Sequence, residues 1–546
     1  MKKLLLLFAI IGAVSCQEEP QITADLIIEN AKIYTVDDQF SMATALVVKE
    51  GKIIFIGTQE ELKSQNLKAS KTIDATGKFV YPGWIDAHCH FYRLGQQEQR
   101  VDLVGTESYQ EVLDKIQKFQ KANNKTFIIG RGWDQNDWDV KEYPTNKELN
   151  ELFPETPVAI TRIDGHAMVV NDAALKLAHI DVNTVFSGGD IEQKKGKLTG
   201  ILVDNPMKLV RDIFPVASVE EDIEALMDAQ DINFSYGITT VDDAGLMRST
   251  IELIDSLQQD GALKMKIYAM ITNTPENLDH YLKKGIVKTD RLNVRSVKFY
   301  ADGALGSRGA AMKQPYTDKH NHFGTLLSSI EDLEGVAKRI AATAYQMNTH
   351  AIGDSANYVV LTTYKELLSD QKDRRWRVEH AQIVDPADFH LFDEDNIIPS
   401  VQPTHATSDM YWARDRIGEE RIKGAYAYKK LLQESKMLAL GTDYPIEQVN
   451  PFLTFYAAVA RKDTSGYPDD GFRADQALSR EEALRGMTIW AAFSNFEEHE
   501  KGSLEIGKAA DFILLDQDIM TVPIDQIPNM QVSATYSNGE LVYISK

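Results

Sequence analysis

Eight short apolar segments alternate with helix-like segments across the middle of this chain, and that alternation limits the folds open to it. Each apolar segment has the length of a buried strand. Alternating strands and helices are typical of parallel α/β folds, and eight such units predict a TIM (β/α)8 barrel. The predicted strands cover residues 79–85, 237–242, 265–271, 294–300, 344–350, 376–380, 397–402 and 437–442.

The two ends of the chain differ from the middle, because short strands and turns replace the strand–helix alternation. Residues 24–78 and 500–546 both have this pattern, and Asn538-Gly539 is a typical hairpin turn. We therefore expect one composite β-sandwich built from both ends, beside a barrel that spans 79–499. Roughly 150 residues separate the first two predicted strands, too many for a loop. Residues 95–230 are therefore expected to form an inserted subdomain over the barrel mouth.

The first residues resemble a processing signal. Met1-Lys2-Lys3 is followed by an apolar run over 4–14, about 11 residues long, whereas a membrane-spanning helix needs roughly 20. Cys16 follows small residues, as in a bacterial lipobox. We expect a lipoprotein signal peptide over 1–16, lipidation of Cys16 and a tether over 17–23. Ordinary secretory cleavage is the alternative.

The charge balance limits the partners of this protein. Lys and Arg number 59 and Asp and Glu number 81, which gives a net charge of −22. So acidic a surface argues against nucleic acid and against peripheral binding to anionic lipid. We expect a small-molecule substrate, and membrane contact only through a lipid anchor in the bacterial cell envelope. A homo-oligomer is left open.

Metal-binding side chains recur at the ends of the predicted strands. His88 and His90 follow the first strand two residues apart, so both imidazoles point to one side of an extended backbone. Active sites of TIM barrels lie at the carboxyl ends of the strands, where these side chains would share one site. The other residues of this kind at strand ends are Lys298, His350, His380 and Asp443.

Imidazole and carboxylate groups in this arrangement are typical of hydrolytic metal sites. Zn²⁺ and related divalent ions take such ligands and activate water near neutral pH. We expect one or two divalent ions, with zinc the favoured metal. His88 and His90 are expected to bind one ion, and His350 and His380 a second. Asp443 fits a last ligand that also shuttles a proton.

Lys298 does not fit this set as an ammonium group, because divalent cations repel it. With an ordinary pKa near 10.4, fewer than about one lysine in a thousand is neutral at pH 7. Reaction with CO₂ would convert Lys298 into an anionic carbamate that is able to bridge two metals. The alternative is a lysine that contacts substrate or a carboxylate such as Asp302, beside a single metal.

The predicted insertion carries three further candidates for the substrate site. Trp133 and Trp138 are suited to hold an aryl or alkyl substituent, although aromatic packing inside the insertion explains them equally well. His166 is a candidate oxyanion donor and substrate contact, with a structural role in its loop as the alternative. Substrate specificity is therefore expected to depend on the insertion.

Other residues of the barrel are expected to support the site. His405 lies just past the seventh predicted strand, which favours a second oxyanion donor. Arg308 is either a substrate contact or a partner of Asp302, and the ion pair is the favoured interpretation. Asp86 is expected to orient an imidazole. Cys89 alternates away from the two histidines and is expected to be a buried thiol.

The ordered motifs resemble those of the amidohydrolase superfamily, and within it amidohydrolase family 3, which includes N-substituted formamide deformylases. The motifs are PGWIDAHCH at 82–90, VKFYADGALGSR at 297–308, THAIGD at 349–354, EHAQ at 379–382 and GTDYP at 441–445, with GRGWDQ at 130–135 and DGH at 164–166. The resemblance implies a metal-bearing barrel, a composite β-sandwich and hydrolysis of C–N bonds other than peptide bonds. The metal set that it implies is His88, His90, Lys298, His350, His380 and Asp443.

Together these features predict a metal-dependent amidohydrolase. We expect hydroxide generated at the metal to attack an amide-type carbonyl of a small molecule, while Asp443 takes the proton and returns it to the leaving nitrogen. A lactonase or esterase with the same site, and a non-catalytic solute-binding lipoprotein of the envelope, are the alternatives. A ring deaminase is less favoured, because no Glu follows the fifth strand where deaminases of the superfamily place one.

Overall fold

The computed structural model describes residues 22–65, 67–163, 165–186, 188–392 and 396–545. The expected signal peptide, Cys16 and the tether up to residue 21 lie outside the described residues, so they stay predictions. Residue 22, which the sequence assigned to the tether, already belongs to the first strand. Among the described helices, none combines the length and the apolar character needed to cross a membrane.

Seven strands and one helix precede the barrel. They are β1 (Ile22–Glu29), β2 (Lys32–Tyr34), β3 (Met42–Ala43), β4 (Ala45–Lys49), β5 (Lys52–Gly57), α1 (Gln59–Ser64), β6 (Leu67–Asp74) and β7 (Phe79–Pro82). Four of them form a sheet in the order β5-β4-β1-β6. The helix α1 begins with a capping box, in which Thr58 and Glu61 satisfy each other's backbone N–H groups.

The barrel starts with β8 (Trp84–Cys89) and α2 (Phe91–Glu98), and a second sheet then interrupts it. Six strands of the insertion form this sheet in the order β13-β14-β12-β11-β10-β9 around apolar cores of their own. Its elements are β9 (Val101–Asp102), α3 (Tyr109–Asn123), β10 (Ile128–Trp133), α4 (Lys147–Leu152), β11 (Val158–Arg162), β12 (Ala167–Val170), α5 (Asp172–Leu177), β13 (Gly189–Lys194), β14 (Lys197–Asp204) and α6 (Met207–Arg211).

The barrel then continues in alternating helices and strands. Its elements are α7 (Val219–Ser235), β15 (Ile238–Leu246), α8 (Arg248–Gln259), β16 (Lys266–Thr272), α9 (Pro275–Lys284), β17 (Val287–Lys288), β18 (Leu292–Tyr300), α10 (Ile330–Ala341), β19 (Gln346–Ala351), α11 (Asp354–Leu368), β20 (Trp376–His380), β21 (Ile397–Val401), α12 (Pro403–Asp409), α13 (Ala413–Arg421), α14 (Tyr428–Ser435), β22 (Ala439–Leu440), α15 (Pro451–Ala460), α16 (Arg480–Gly486) and α17 (Ile489–Ser494).

Eight strands build the barrel wall in the order β8-β15-β16-β18-β19-β20-β21-β22, and every neighbouring pair is parallel. The two ends of this sheet meet, because the N–H of Asp443 donates to the carbonyl oxygen of His88 at 2.7 Å. The prediction of a TIM barrel is therefore confirmed. Because parallel strands align their carboxyl ends, residues that follow them meet at one rim.

The last three strands return to the strands from the start of the chain. They are β23 (Phe512–Leu515), β24 (Val532–Ser537) and β25 (Glu540–Ile544). The resulting six-stranded sheet has the order β25-β24-β23-β7-β2-β3. Apolar side chains from both sheets share one cluster, which includes Leu26, Ile28, Val48, Phe512 and Tyr536. The hairpin turn between β24 and β25 uses Asn538 and Gly539, both with positive φ (49° and 71°).

The first predicted strand is divided at Gly83. β7 joins the six-stranded sheet through β2 and β23, whereas β8 joins the barrel through β15. A Cβ atom at Gly83 would lie 2.4 Å from Oγ1 of Thr239, so the backbone passes too close for a side chain there. The prediction of one strand over 79–85 is therefore wrong in extent, because one apolar run supplies two different sheets.

Gly95 determines how closely α2 packs against α7. A Cβ atom at this position would lie 1.7 Å from the carbonyl oxygen of Ala225, which is backbone and has no room to yield. A Cβ atom at Gly335, in the middle of α10, would have no neighbouring atom within 4 Å. The two helical glycines therefore form a matched pair.

We expect Gly95→Ala to lower the free energy of unfolding by about 1–3 kcal/mol or more, because α2 must move away from α7. Gly335→Ala is expected to raise it by about 0.4–1 kcal/mol, because alanine restricts the unfolded chain without a clash. Urea unfolding followed by circular dichroism measures both changes. Equal shifts for the two variants would contradict the packing described for α2.

Candidate metal centre

His88 and His90 lie side by side at the end of β8. Their ring centroids are 5.9 Å apart, and their Nε2 atoms lie 3.6 and 3.3 Å from the same oxygen, Oδ1 of Asp443. Cys89, between them, turns to the other side of the strand and donates its S–H to the carbonyl oxygen of Asp242. The alternation expected along an extended strand thus separates the two imidazoles from the thiol.

Three further imidazoles complete the cluster at the same rim. His350 is in β19, His380 ends β20, and His405 lies in α12 just after β21. The His380 ring centroid is 4.5 Å from that of His350, 4.9 Å from that of His88 and 5.9 Å from that of His405. Imidazoles from four different strand ends therefore converge with Asp443.

Asp443 is at the centre of this cluster. Its Oδ2 lies 3.2 Å from Nε2 of His405, while its Oδ1 faces His88 and His90. Two groups of three have ligand atoms within 4.8 Å of one another, and Asp443 belongs to both: one with His88 and His90, the other with His380 and His405. A single carboxylate is thus positioned between two sets of imidazoles.

Two buried atoms at this point have no hydrogen-bond partner among the described residues: Oδ1 of Asp443 and Nε2 of His350. The nearest carboxylate to His350, Oδ1 of Asp302, is 3.7 Å away. Buried polar atoms are rarely unpartnered in native proteins. A divalent cation would satisfy both, and neutral imidazoles with one carboxylate are ligands that zinc prefers. The residues present therefore fit a metal.

The electrostatics of the cluster favour the metal-binding protonation states. Burial lowers the pKa of His88 to about 4 and that of His350 to about 3, and the charge of Lys298 acts in the same direction. Burial alone would raise the pKa of Asp443, but the hydrogen bond with His405 and the close approach of His90 hold it well below its ordinary value. At neutral pH His88 and His350 are therefore uncharged imidazoles, and Asp443 is an ionised carboxylate.

Lys298 is in β18 and points into the cluster. Its Nζ lies 3.0 Å from Nε2 of His88, and burial lowers its pKa to about 8. The alternative contact with Asp302 is wrong, because that carboxylate accepts backbone N–H groups of Ala311, Ile352 and Gly353 instead. Lys298 therefore belongs to the cluster itself.

The sequence reasoning missed the group that orients His88. Nδ1 of His88 lies 2.5 Å from Oε2 of Glu379, so Nε2 is the nitrogen that faces the cluster. Glu379 in turn accepts from Nε of Arg377 at 2.7 Å. Arg377 also donates to Oδ2 of Asp242 at 2.7 Å, and all four side chains are buried. Charged residues two apart in a fully buried strand were the available signal.

Two other residues orient the cluster in ways that the sequence did not predict. Oε1 of Gln402 lies 2.6 Å from Nδ1 of His380, which leaves Nε2 of that imidazole for the site. Asp86 was expected to orient an imidazole, but its carboxylate does not contact an imidazole ring. Its carboxylate accepts from the N–H of His88 and from the N–H and Oγ1 of Thr442, and so it positions the backbone beside Asp443.

The candidates from the insertion do not reach the cluster. Trp133 and Trp138 are buried in the core of the insertion, where their indole N–H groups donate to the carbonyl oxygens of Ile160 and Thr106. The substrate-binding role is corrected to the packing alternative. His166 is exposed and pairs with Asp204 at 2.7 Å, so it is not placed to stabilise an oxyanion at the cluster.

Arg308 is paired, but not with the expected partner. Its guanidinium donates to both carboxylate oxygens of Asp318 at 3.0 and 2.8 Å. The predicted pair with Asp302 is therefore wrong, because the backbone already satisfies that carboxylate. A bidentate pair of this kind leaves Arg308 little freedom to bind a substrate anion.

A cavity of about 770 Å³ leads from the cluster to the surface. It lies between the barrel rim and the insertion. Its inner end includes His90, Asp243 and Tyr300, and Gly132 and Ile163 of the insertion form part of its outer wall. Its volume is that of a small-molecule site, open to solvent at one end.

Comparisons with known proteins agree with this arrangement. A model of the amidohydrolase family matches residues 71–543. Protein LONG AFTER FAR-RED 3 of Arabidopsis thaliana is 33% identical over 540 residues, which cover 96% of this chain and 92% of that protein. N-substituted formamide deformylase of Arthrobacter pascens is 26% identical over 95% of this chain and 98% of its own length. An uncharacterized metal-dependent hydrolase from Pyrococcus horikoshii OT3 has a similar structure, with a TM-score of 0.76 and 30% identity over 91% of this chain and 99% of its own.

The contact between Glu379 and His88 leads to a prediction. Glu379→Gln keeps the shape of the side chain but leaves the buried Arg377 with one carboxylate fewer. Breaking a buried ion pair costs about 3–5 kcal/mol of stability, and loss of a group that orients a metal ligand lowers metal affinity about 10–100-fold. Urea unfolding and metal titration by calorimetry measure the two effects.

Glu334→Gln is the control, because Glu334 forms an exposed i,i+4 pair with Lys338 on α10. Exposed pairs of this kind contribute about 0.3–0.5 kcal/mol, and metal affinity should not change. If Glu379→Gln behaves like this control in both measurements, the orienting role of Glu379 is wrong.

Proposed function

This chain belongs to the amidohydrolase family, and from that premise we propose that it hydrolyses a non-peptide C–N bond in a small amide, with a divalent metal at the described cluster. The observation that carries the proposal is the position of Asp443 between two groups of imidazoles. A carboxylate in that place is able to bind metal and to exchange a proton with a substrate at the same rim.

The residues that would hold metal are the six expected from the sequence. His88, His90 and Asp443 have ligand atoms within 4.8 Å of one another, and His380, with His350 beside it, faces the same carboxylate. A divalent cation held there supplies Lewis acidity, which polarises a carbonyl oxygen and makes water a nucleophile near neutral pH. Zinc is the favoured metal, because the donors are imidazole nitrogens and a carboxylate oxygen.

Asp443 is proposed to move the proton. Its carboxylate is ionised at neutral pH and so accepts a proton as water adds to the carbonyl carbon. It then returns the proton to the leaving nitrogen, since an amine departs poorly as an anion. The hydrogen bond that the backbone N–H of Asp443 donates to the carbonyl oxygen of His88 fixes the backbone at Asp443, which adopts a positive φ of 60°.

His405 is proposed to stabilise negative charge beside Asp443. Burial lowers its pKa, but Asp443 and Glu447 together raise it well above the ordinary value, so it carries a proton. Its Nδ1 is 3.4 Å from Oε1 of Glu447 and its Nε2 is 3.2 Å from Asp443. An imidazolium in this position is able to donate to the oxyanion that forms at the carbonyl.

Lys298 is proposed to react with CO₂ to give a carbamate. An ammonium 3.0 Å from Nε2 of His88 is incompatible with a cation bound to that nitrogen. In the neutral form, the amine nitrogen adds to the carbon of CO₂ and loses one proton, which leaves an anionic group with two oxygens. ¹³C NMR of protein in ¹³CO₂-bicarbonate buffer, with Lys298→Met as the control, tests this step.

The central prediction concerns Asp443→Asn. The amide keeps the size of the side chain but cannot accept a proton, so kcat should fall about 10²–10⁴-fold. Hydrolysis of a panel of N-substituted formamides, N-acyl amines and lactones, with zinc added after chelation, measures it. Lactones in the panel distinguish an esterase, which the same cluster would also permit.

Asp370→Asn is the control for a lost carboxylate, because Asp370 is exposed in a turn after α11. It should leave kcat unchanged. Full activity of Asp443→Asn, or unchanged hydrolysis by protein from which a chelator has removed metal, would exclude the proposed roles.

A further inference from the structure

One wall of the cavity beside the metal centre is lined with arginine. The helix α2 contributes Arg93, Gln96 and Gln97, and Arg100 follows in the turn after it. The spacing i, i+3, i+4, i+7 places these four polar side chains on one face. Arg131, from β10 of the insertion, lines the same cavity from the opposite side.

The arginines of this wall have no carboxylate partner. Among the described residues, neither Arg93 nor Arg100 has a side-chain ion pair or hydrogen bond, and Arg131 donates only to the carbonyl oxygen of Ile163, at 3.2 Å. Arg308 and Arg416, by contrast, are both paired with Asp318. All three cavity arginines are exposed to solvent, in a chain whose net charge is −22.

The three cations are also close enough to affect one another. Partial desolvation inside the cavity lowers the pKa of Arg100, and repulsion from Arg93 and Arg131 lowers it further. Two carboxylates line the cavity, but each accepts from backbone: Asp102 from the N–H of Val104 at 3.0 Å and Asp243 from the N–H of Tyr92 at 2.9 Å. Three guanidinium groups close together, none of them in an ion pair with these carboxylates, make this side of the cavity attractive to an anion.

Apolar side chains form part of the remaining lining. Val104, Ile163, Met247 and Ile446 line the cavity, and each is between 40% and 58% exposed. A ligand that fills the cavity would therefore cover apolar side chains along its length. Arg93 follows His90 by three residues and Arg100 by ten. The rise along the axis of α2 therefore separates their backbones from that of His90 by about 5 and 15 Å.

We propose that this wall binds an oxyanion, of carboxylate or phosphate type, at the far end of an extended substrate whose scissile amide lies at the metal centre. The term substrate rests on the proposed function, whereas the anion site does not. A guanidinium fork matches both kinds of oxyanion. The substrate class is thus an amide with an apolar linker of several bonds and a terminal negative charge.

Binding is measured by isothermal titration calorimetry with metal-free protein, so that an anion has no metal to bind. The probes are 6-acetamidohexanoate, 6-acetamidohexyl phosphate and the neutral N-hexylacetamide. We expect at least one anionic probe to bind at least 10-fold more tightly than the neutral one. The stronger of the two anions identifies the chemical type, and equal weak binding of all three would overturn the proposal.

The variants are Arg100→Met and Arg131→Met, with Arg339→Met as the control. Arg339 lies on α10, pairs with Asp279 on the surface and does not line the cavity. Each cavity variant should weaken the anionic probe at least 10-fold and leave the neutral probe unchanged, and the control should alter neither. The thermal midpoint of Arg100→Met should equal or exceed that of the wild type, because repulsion is relieved. Unchanged anion binding by both cavity variants would overturn the proposal.

Kinetics separate this inference from the proposed function. N-hexyl adipamate and N-hexyl hexanamide differ only by a carboxylate in place of a terminal methyl group on the acyl side. On the amine side, 6-acetamidohexanoate and N-hexylacetamide differ in the same way. A preference in kcat/KM for an anionic member that Arg100→Met abolishes supports both ideas. Hydrolysis without any preference, together with unaltered binding, overturns the anion site and leaves the hydrolase. Arginine-dependent binding without hydrolysis of any amide supports the anion site and overturns the proposed function.

Discussion

The buried guanidinium of Arg377 connects the strands that carry the candidate metal centre. It donates to the carbonyl oxygen of Ala87 in β8, to Asp242 in β15, to Glu379 in its own strand β20 and to Ser400 in β21. A charged group that is buried away from water is costly unless it is fully paired. Here the pairing crosses the barrel interior, so the strands that hold the imidazoles also hold the network that fixes them.

Hydrogen bonds from the surrounding strands orient the side chains of the cluster. His88 is fixed through Glu379, His380 through Gln402, and Asp443 through its backbone and His405. His88 and His380 thus each have one nitrogen bound to a partner and the other directed inwards. The backbone approach at Gly441 is equally tight, since a Cβ atom there would lie 2.4 Å from the N atom of His88. The site is therefore preformed by packing and hydrogen bonds.

The sequence predicted the barrel and its rim because both follow from local patterns. Alternation along β8 separates Cys89 from His88 and His90, and a strand that ends at His380 matches the predicted segment 376–380. Long-range pairing left no such pattern. Nothing local distinguishes Trp133 in a core from Trp133 at a pocket, or shows that Arg308 meets Asp318 and not Asp302. The division at Gly83 was missed for the same reason, since both halves are equally apolar.

The sheet shared by the two ends of the chain has a consequence for biosynthesis. Val80 of β7 pairs with Leu514 of β23, more than 400 positions later. While the ribosome makes the intervening barrel, β7 has no neighbour on that side, and an unpaired edge is a site for aggregation. Such distant pairing also slows folding. A nascent chain of this protein should therefore depend on chaperones until its last strands emerge, and truncation near the carboxyl terminus should harm solubility more than its small loss of mass suggests.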